Sequence, residues 1–121
     1  MNERSGYTEL EVEGVVIPFK FGTNAYALYC EMHGCDLHQI IDTGLFGDTE
    51  KNTPPSIMRL RELFFCAYRT ACALKNEPVK YNIHQITEFI DDTDGLAKLQ
   101  SAMVKSHVMG SVRGNPEEPA Q

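Results

Sequence analysis

One stretch near the middle of the chain constrains the fold more than any other. From Thr53 or Ser56 to about Asn76, the residues Ile57, Leu60, Phe64, Ala67, Ala71 and Leu74 recur at helical spacing. Met58, Phe65, Tyr68 and Cys72 widen that stripe to more than half the circumference. Arg59, Glu62, Arg69 and Thr70 make up the polar remainder. A helix apolar over so much of its surface must be packed by several other elements. The expectation is a long central helix over 56–76 with the rest of the chain around it. Glu77-Pro78 ends it, because proline cannot continue a helix.

The chain ahead of this helix reads first as strands. Tyr7 to Val12 alternates, with Thr8, Leu10 and Val12 on one side. Val15 to Phe21 places Val15, Ile17, Phe19 and Phe21 on one side. A two-residue turn at Glu13-Gly14 pairs Val12 with Val15, Leu10 with Ile17 and Thr8 with Phe19. The apolar residues then share a face, so the register of a hairpin over 7–21 is self-consistent. Pro18 falls at a non-hydrogen-bonded pair with its missing N–H outward, which makes the second strand an edge. Glutamate suits a left-handed turn position poorly, which leaves a longer turn as the alternative.

The period then becomes helical. A helix over about 24–33 is expected, with Thr23 or Asn24 as N-cap, Ala25, Leu28 and Met32 as its stripe, Tyr29 at the margin and Gly34 as its stop. Asp36 caps a short helix over 36–43, with Leu37, Ile40 and Ile41 as its apolar side. Residues 44–55, rich in Gly, Asn and Pro, read as a loop. Asn82-Ile83-His84-Gln85 is a capping-box pattern opening a helix over 82–91, with Ile83, Ile86, Phe89 and Ile90 on its inner side. Asp94 caps a last helix over 94–109 with Leu96, Leu99, Met103 and Val104. Residues 1–6 and 110–121 are polar and expected to be disordered. The fold class is therefore α+β, mostly α: an N-terminal β-hairpin and about five helices in a single domain over 7–109.

Composition narrows the function. A chain of 121 residues, 42% hydrophobic and 23% charged, has the ordinary globular mixture. No run approaches the roughly 18–20 apolar residues of a membrane span. No apolar core follows Met1-Asn2-Glu3-Arg4, so a secretory signal is not expected. A net charge of −6 argues against nucleic acid as principal ligand. Lys98, Lys105, His107 and Arg113 form the best local basic set, and no aromatics interleave it. The cysteines Cys30, Cys35, Cys66 and Cys72 read as small buried hydrophobes in a cytosolic protein.

Three motifs suggest chemistry and each falls short. Asp42-Thr43-Gly44 matches an aspartic-protease loop, but that chemistry needs a β-rich body holding two facing carboxylates, and helical pattern follows. Cys30, His33, Cys35 and His38 are metal-ligand types, yet they lack the distant second pair of a structural zinc site. Asp91-Asp92-Thr93-Asp94-Gly95 begins like a calcium loop, but counting from Asp92 puts Met103 where a bidentate glutamate belongs. There is no phosphate-binding glycine loop and no nucleophile elbow. The reading is no catalytic site, no metal and no cofactor; the class is binding or assembly rather than enzyme.

The order of segments resembles a known family. A hairpin runs into Phe19-Lys20-Phe21-Gly22-Thr23-Asn24-Ala25. Leu28, Gly34 and Asp36-Leu37 follow, then Leu60-Arg61-Glu62-Leu63-Phe64-Phe65-Cys66-Ala67-Tyr68, and last Gln85-Ile86-Thr87-Glu88-Phe89-Ile90-Asp91-Asp92. Over about residues 10–95 this is similar to the tail assembly chaperones of long-tailed bacteriophages and prophages. The resemblance implies a non-enzymatic protein of the host cytoplasm. Such a protein binds the tape-measure protein, helps recruit tail-tube subunits, and is absent from the finished virion. A tape-measure segment is an amphipathic helix and needs an apolar groove. The expected partner surface is Val16, Tyr29, Phe46 and Met58, with the edge strand over 15–21 available for self-association. The alternative is a small helical regulator or adaptor that binds another protein through residues 82–109.

Overall fold

The computed structural model describes residues 6–48 and 50–106. The order is β1 (Tyr7–Val12), β2 (Val15–Lys20), α1 (Thr23–His33), a 3-10 helix η1 (Leu37–Thr43), α2 (Ile57–Leu74), α3 (Ile83–Asp92) and α4 (Gly95–Val104). This is the α+β, mostly helical architecture that the periodicities imply. The last helix stops at Val104, with Lys105 as its C-cap, short of the expected end at 109. The expected disorder at 1–5 and 110–121, and residues 107–109, lie outside the described residues.

The hairpin has the register that face alternation demands. Val12 pairs with Val15, Leu10 with Ile17, Thr8 with Phe19 and Tyr7 with Lys20. The turn is two residues, not longer. Glu13 takes φ 52 and Gly14 φ 84, because only a turn with positive φ matches the right-handed twist of the strands. Thr8, Leu10, Ile17 and Phe19 are buried, while Val15 at the tip is exposed. Pro18 is buried as well, on the face opposite Ile17 and Phe19. Gly6, expected to be disordered, is tied to the end of the hairpin. The Phe21 N–H donates to the Gly6 carbonyl at 2.8 Å, and a Cβ on Gly6 would lie 2.2 Å from the Phe21 oxygen.

The helix α2 lies at the centre. It packs against β2 on one side, α1 on another and α3 on a third. Its buried residues are Leu60, Leu63, Phe64, Cys66, Ala67, Tyr68, Thr70, Ala71 and Cys72. The ends of the expected stripe, Ile57 and Leu74, are exposed among the described residues. Thr70 is buried although it read as polar surface; its hydroxyl donates back to the Cys66 carbonyl at 2.9 Å. Aromatic rings tie the layers together. Phe21 meets Phe64 edge-on at 5.9 Å, Phe19 lies 6.3 Å from Tyr68, and Tyr81 meets Phe89 at 5.0 Å. The Tyr68 hydroxyl accepts from the Lys80 and Tyr81 N–H groups at 3.0 and 3.3 Å and so pins the segment after α2.

The other helix faces and caps differ from expectation in instructive ways. α1 buries Ala25, Tyr26, Tyr29 and Cys30, and leaves Met32 exposed. The buried side is thus rotated away from the Leu28–Met32 stripe. Gly22, at φ 156, precedes the helix, and no side chain caps it. In η1 only Ile40 is buried; Leu37 and Ile41 are exposed. Ser56 caps α2 by accepting from the Arg59 N–H, and Asn82 with Gln85 forms the capping box of α3. Asp94 does not cap through its side chain: it takes a left-handed conformation, φ 61, to turn the chain from α3 into α4. Gly95 then abuts β1, where a Cβ would lie 2.7 Å from Leu10 Cδ1. α4 buries Leu99, Ala102 and Met103, and leaves Leu96 and Val104 exposed.

Candidate functional site

The structure does not gather the four expected partner residues into one surface. Val16 and Met58 are exposed, at 52% and 48%, on the hairpin and on the first turn of α2. Phe46 is partly buried against the core and lines a hollow with Ile41, Asp48 and Pro54 that none of the other three lines. Tyr29 is fully buried, so it cannot be a surface contact, and that assignment is corrected.

The reason for the burial of Tyr29 is a polar chain. Its hydroxyl lies 2.7 Å from Thr43 Oγ1, and that hydroxyl donates to the Ile40 carbonyl at 2.7 Å. Threonine has one hydroxyl proton, already given to Ile40, so Tyr29 must be the donor to Thr43. Burial raises the pKa of the Tyr29 phenol, and the bond to Thr43 offsets part of that shift. The His33 ring lies 4.5 Å from the Tyr29 ring, and His33 Nε2 contacts Glu62 Oε1 at 2.6 Å. Arg59 approaches the same carboxylate through Nε at 2.9 Å and Nη2 at 3.1 Å. These side chains join α1, η1 and α2. They form a brace.

A better-formed surface lies on the other flank of α1. Residues 24, 27, 28 and 31 of α1 face residues 69, 70, 73 and 74 of α2 across a groove of about 580 Å³. Each set follows helical spacing, so two parallel rows of side chains form the walls. Ala27, Leu28, Ala73, Leu74 and Val79 supply apolar lining, and Glu31, Arg69 and Glu77 supply charge. Leu74 is 50% exposed and Val79 49%. Seven residues of helix rise span roughly 10 Å, so the groove matches about two turns of a guest helix. Small residues at Ala27 and Ala73 let a guest backbone approach closely. Sequence reasoning placed Leu74 in the core stripe and did not single out Val79. The available signal was a leucine at the last turn of a helix just before a Pro-containing break.

The motif residues have structural partners. Gly44 ends η1 in a left-handed conformation at φ 89, which accounts for Asp42-Thr43-Gly44. Asp91 to Asp94 lie at the junction of α3 and α4. His33 turns to Glu62, while the Cys35 N–H donates to the Cys30 carbonyl at 3.1 Å. Among the described residues, no group of three or more His, Cys, Asp or Glu is arranged to hold a metal ion. Burial pushes the Cys66 thiol up to about 12. None of the described helices is long and apolar enough to cross a membrane.

The fold and surface together define a small α+β domain, mostly helical, with an open groove between two helices. Comparison with known proteins finds no matching family model, no similar curated protein and no similar solved structure.

Proposed function

We propose that this chain is a binding protein without enzymatic activity, and specifically a tail assembly chaperone that shields an amphipathic segment of a tape-measure protein and helps recruit tail-tube subunits. The groove between α1 and α2 carries this reading. Its walls are apolar at Leu28, Leu74 and Val79, its length suits a helix, and its rim bears charges of both signs. An amphipathic helix laid there covers apolar surface that water otherwise contacts. One short groove binds one short segment weakly, and many copies on a long repetitive partner bind by avidity. The exposed Val15 and Val16 of β2 give neighbouring copies a place to meet, although Pro18 removes one outward donor from that edge. The proposal places the protein in the host cytoplasm during assembly and outside the finished particle.

The test is a pair of charge substitutions in the groove, Leu74→Glu and Val79→Glu, scored by recovery of a soluble complex with tape-measure fragments. Both side chains are half exposed, so folding tolerates the change. Loss of the complex with an unchanged far-ultraviolet spectrum supports the groove. Full retention of the complex rejects it.

A further inference from the structure

α1 ends in a motif that brings two cysteines together. Gly34 is left-handed, at φ 63. Its N–H donates to the Glu31 carbonyl at 3.4 Å, and the Cys35 N–H donates to the Cys30 carbonyl at 3.1 Å. This is the Schellman pattern, in which the residue after the glycine folds back onto the one five positions earlier. That contact is ordinarily apolar. Here both members are cysteine, and both are free thiols. A main-chain N···O separation of 3.1 Å between two residues keeps their Cα atoms near the roughly 4.4–6.8 Å range that a disulfide spans. Both cysteines line a hollow of about 500 Å³ between α1 and η1. Cys35 is half-buried, whereas Cys30 is only 8% exposed.

We infer that Cys30 and Cys35 form a reactive dithiol, a modification site that takes a soluble low-molecular-weight disulfide such as oxidised glutathione and closes to an intrachain disulfide. The other cysteines, Cys66 and Cys72, are buried in α2 nearly two helical turns apart and face different directions. They do not take part.

The chemistry balances as two exchanges. Cys35, the more accessible thiol, gives up its proton, and its sulfur attacks one sulfur of oxidised glutathione. A new S–S bond forms, the glutathione S–S bond breaks, and one glutathione leaves as a thiolate that takes up the proton. Cys30 then loses its proton and attacks the Cys35 sulfur, expelling the second glutathione. The protein dithiol is oxidised and the glutathione disulfide is reduced to two thiols. Burial, reinforced by the neighbouring Cys35 thiol, pushes the Cys30 thiol up to about 11, so the first attack falls to the more accessible Cys35. The product is a covalent staple across the left-handed glycine, tying the last turn of α1 to the start of η1.

The experiment exposes the folded full chain to glutathione at a series of oxidised-to-reduced ratios. Remaining thiols are then blocked and peptides are mapped by mass spectrometry. Four free thiols fall to two, and one linked peptide joins Cys30 to Cys35. Cys30→Ser stops at a glutathione adduct on Cys35, and Cys35→Ser leaves every thiol unmodified under the same treatment. Mapping of the unaltered protein decides the matter even where a variant fails to fold. Four thiols surviving the most oxidising ratio, a link that involves Cys66 or Cys72, or a link between chains overturns the assignment.

Discussion

Tyr29 separates a structural role from a binding one, and the separation can be measured. Removing its hydroxyl with Tyr29→Phe deletes the donor to Thr43 Oγ1 but leaves Thr43 bonded to the Ile40 carbonyl. One neutral hydrogen bond in a partly buried place is worth about 1 kcal/mol net. For a chain of 121 residues that lowers the melting temperature by roughly 4 °C. Truncation to alanine removes a ring that is fully buried and whose hydroxyl meets η1, and costs about 3–5 kcal/mol. Thr43→Val removes the same bond from the other side and also leaves the Ile40 carbonyl without that donor. The double variant Tyr29→Phe/Thr43→Val therefore costs less than the sum of the two, by about 0.5–1 kcal/mol. Urea unfolding followed by circular dichroism gives all four corners of the cycle. Strict additivity refutes the hydrogen-bond chain. A Tyr29→Ala variant that keeps its full stability yet loses its partner refutes the brace and returns Tyr29 to the surface.

Other consequences are as direct. Gly47 has φ +75, and a Cβ there would lie 2.4 Å from the Thr53 oxygen, so Gly47→Ala destabilises by ~2 kcal/mol or more in thermal melts. The loop it serves is closed by the Asp48–Thr53 bridge, and damage confined to that loop leaves the hairpin signals of a nuclear magnetic resonance spectrum in place. Tyr26 and Cys66 hold their protons more tightly when folded, because burial penalises the anion. Their contribution is full below the ordinary values of 10.0 and 9.0, and it is lost as pH rises toward the folded values, about 12 for Cys66. Urea midpoints therefore fall on going from about pH 8 to about pH 10.5, with each such group adding up to ~1.4 kcal/mol per pH unit. A flat profile across that range contradicts the burial of these two groups. Val16→Lys and Met58→Lys alter exposed side chains and change stability by less than about 0.5 kcal/mol in the same unfolding assay.

Local signals were readable in the chain, and signals set by packing were not. The hairpin register followed from period-two alternation, because a shift of one residue would turn Leu10 and Ile17 outward. The caps at Ser56 and Asn82 and the glycine stops at Gly34 and Gly44 are chemistry of a few adjacent residues. The side of α1 that α2 covers is a different matter. Hydropathy favours Leu28 and Met32, whereas the core takes Tyr26, Tyr29 and Cys30, whose polar tips find partners or whose thiol tolerates burial. The same cause removed Tyr29 from the expected partner surface. The groove was illegible because its two walls come from distant parts of the chain, and Leu74 reads as core until the exposed last turn of α2 is seen. The cysteine pair needed the left-handed Gly34, since spacing alone does not bring residues 30 and 35 into contact.

The central claim is that the chain works by coating an amphipathic helical partner. Its most direct test is the mass of the soluble complex formed when the chain is co-expressed with tape-measure fragments of increasing length. The account predicts rescue of otherwise insoluble fragments and a copy number that rises with fragment length. Fragments that stay insoluble while the protein elutes alone, or a single copy bound whatever the length, contradict it and favour a one-to-one adaptor.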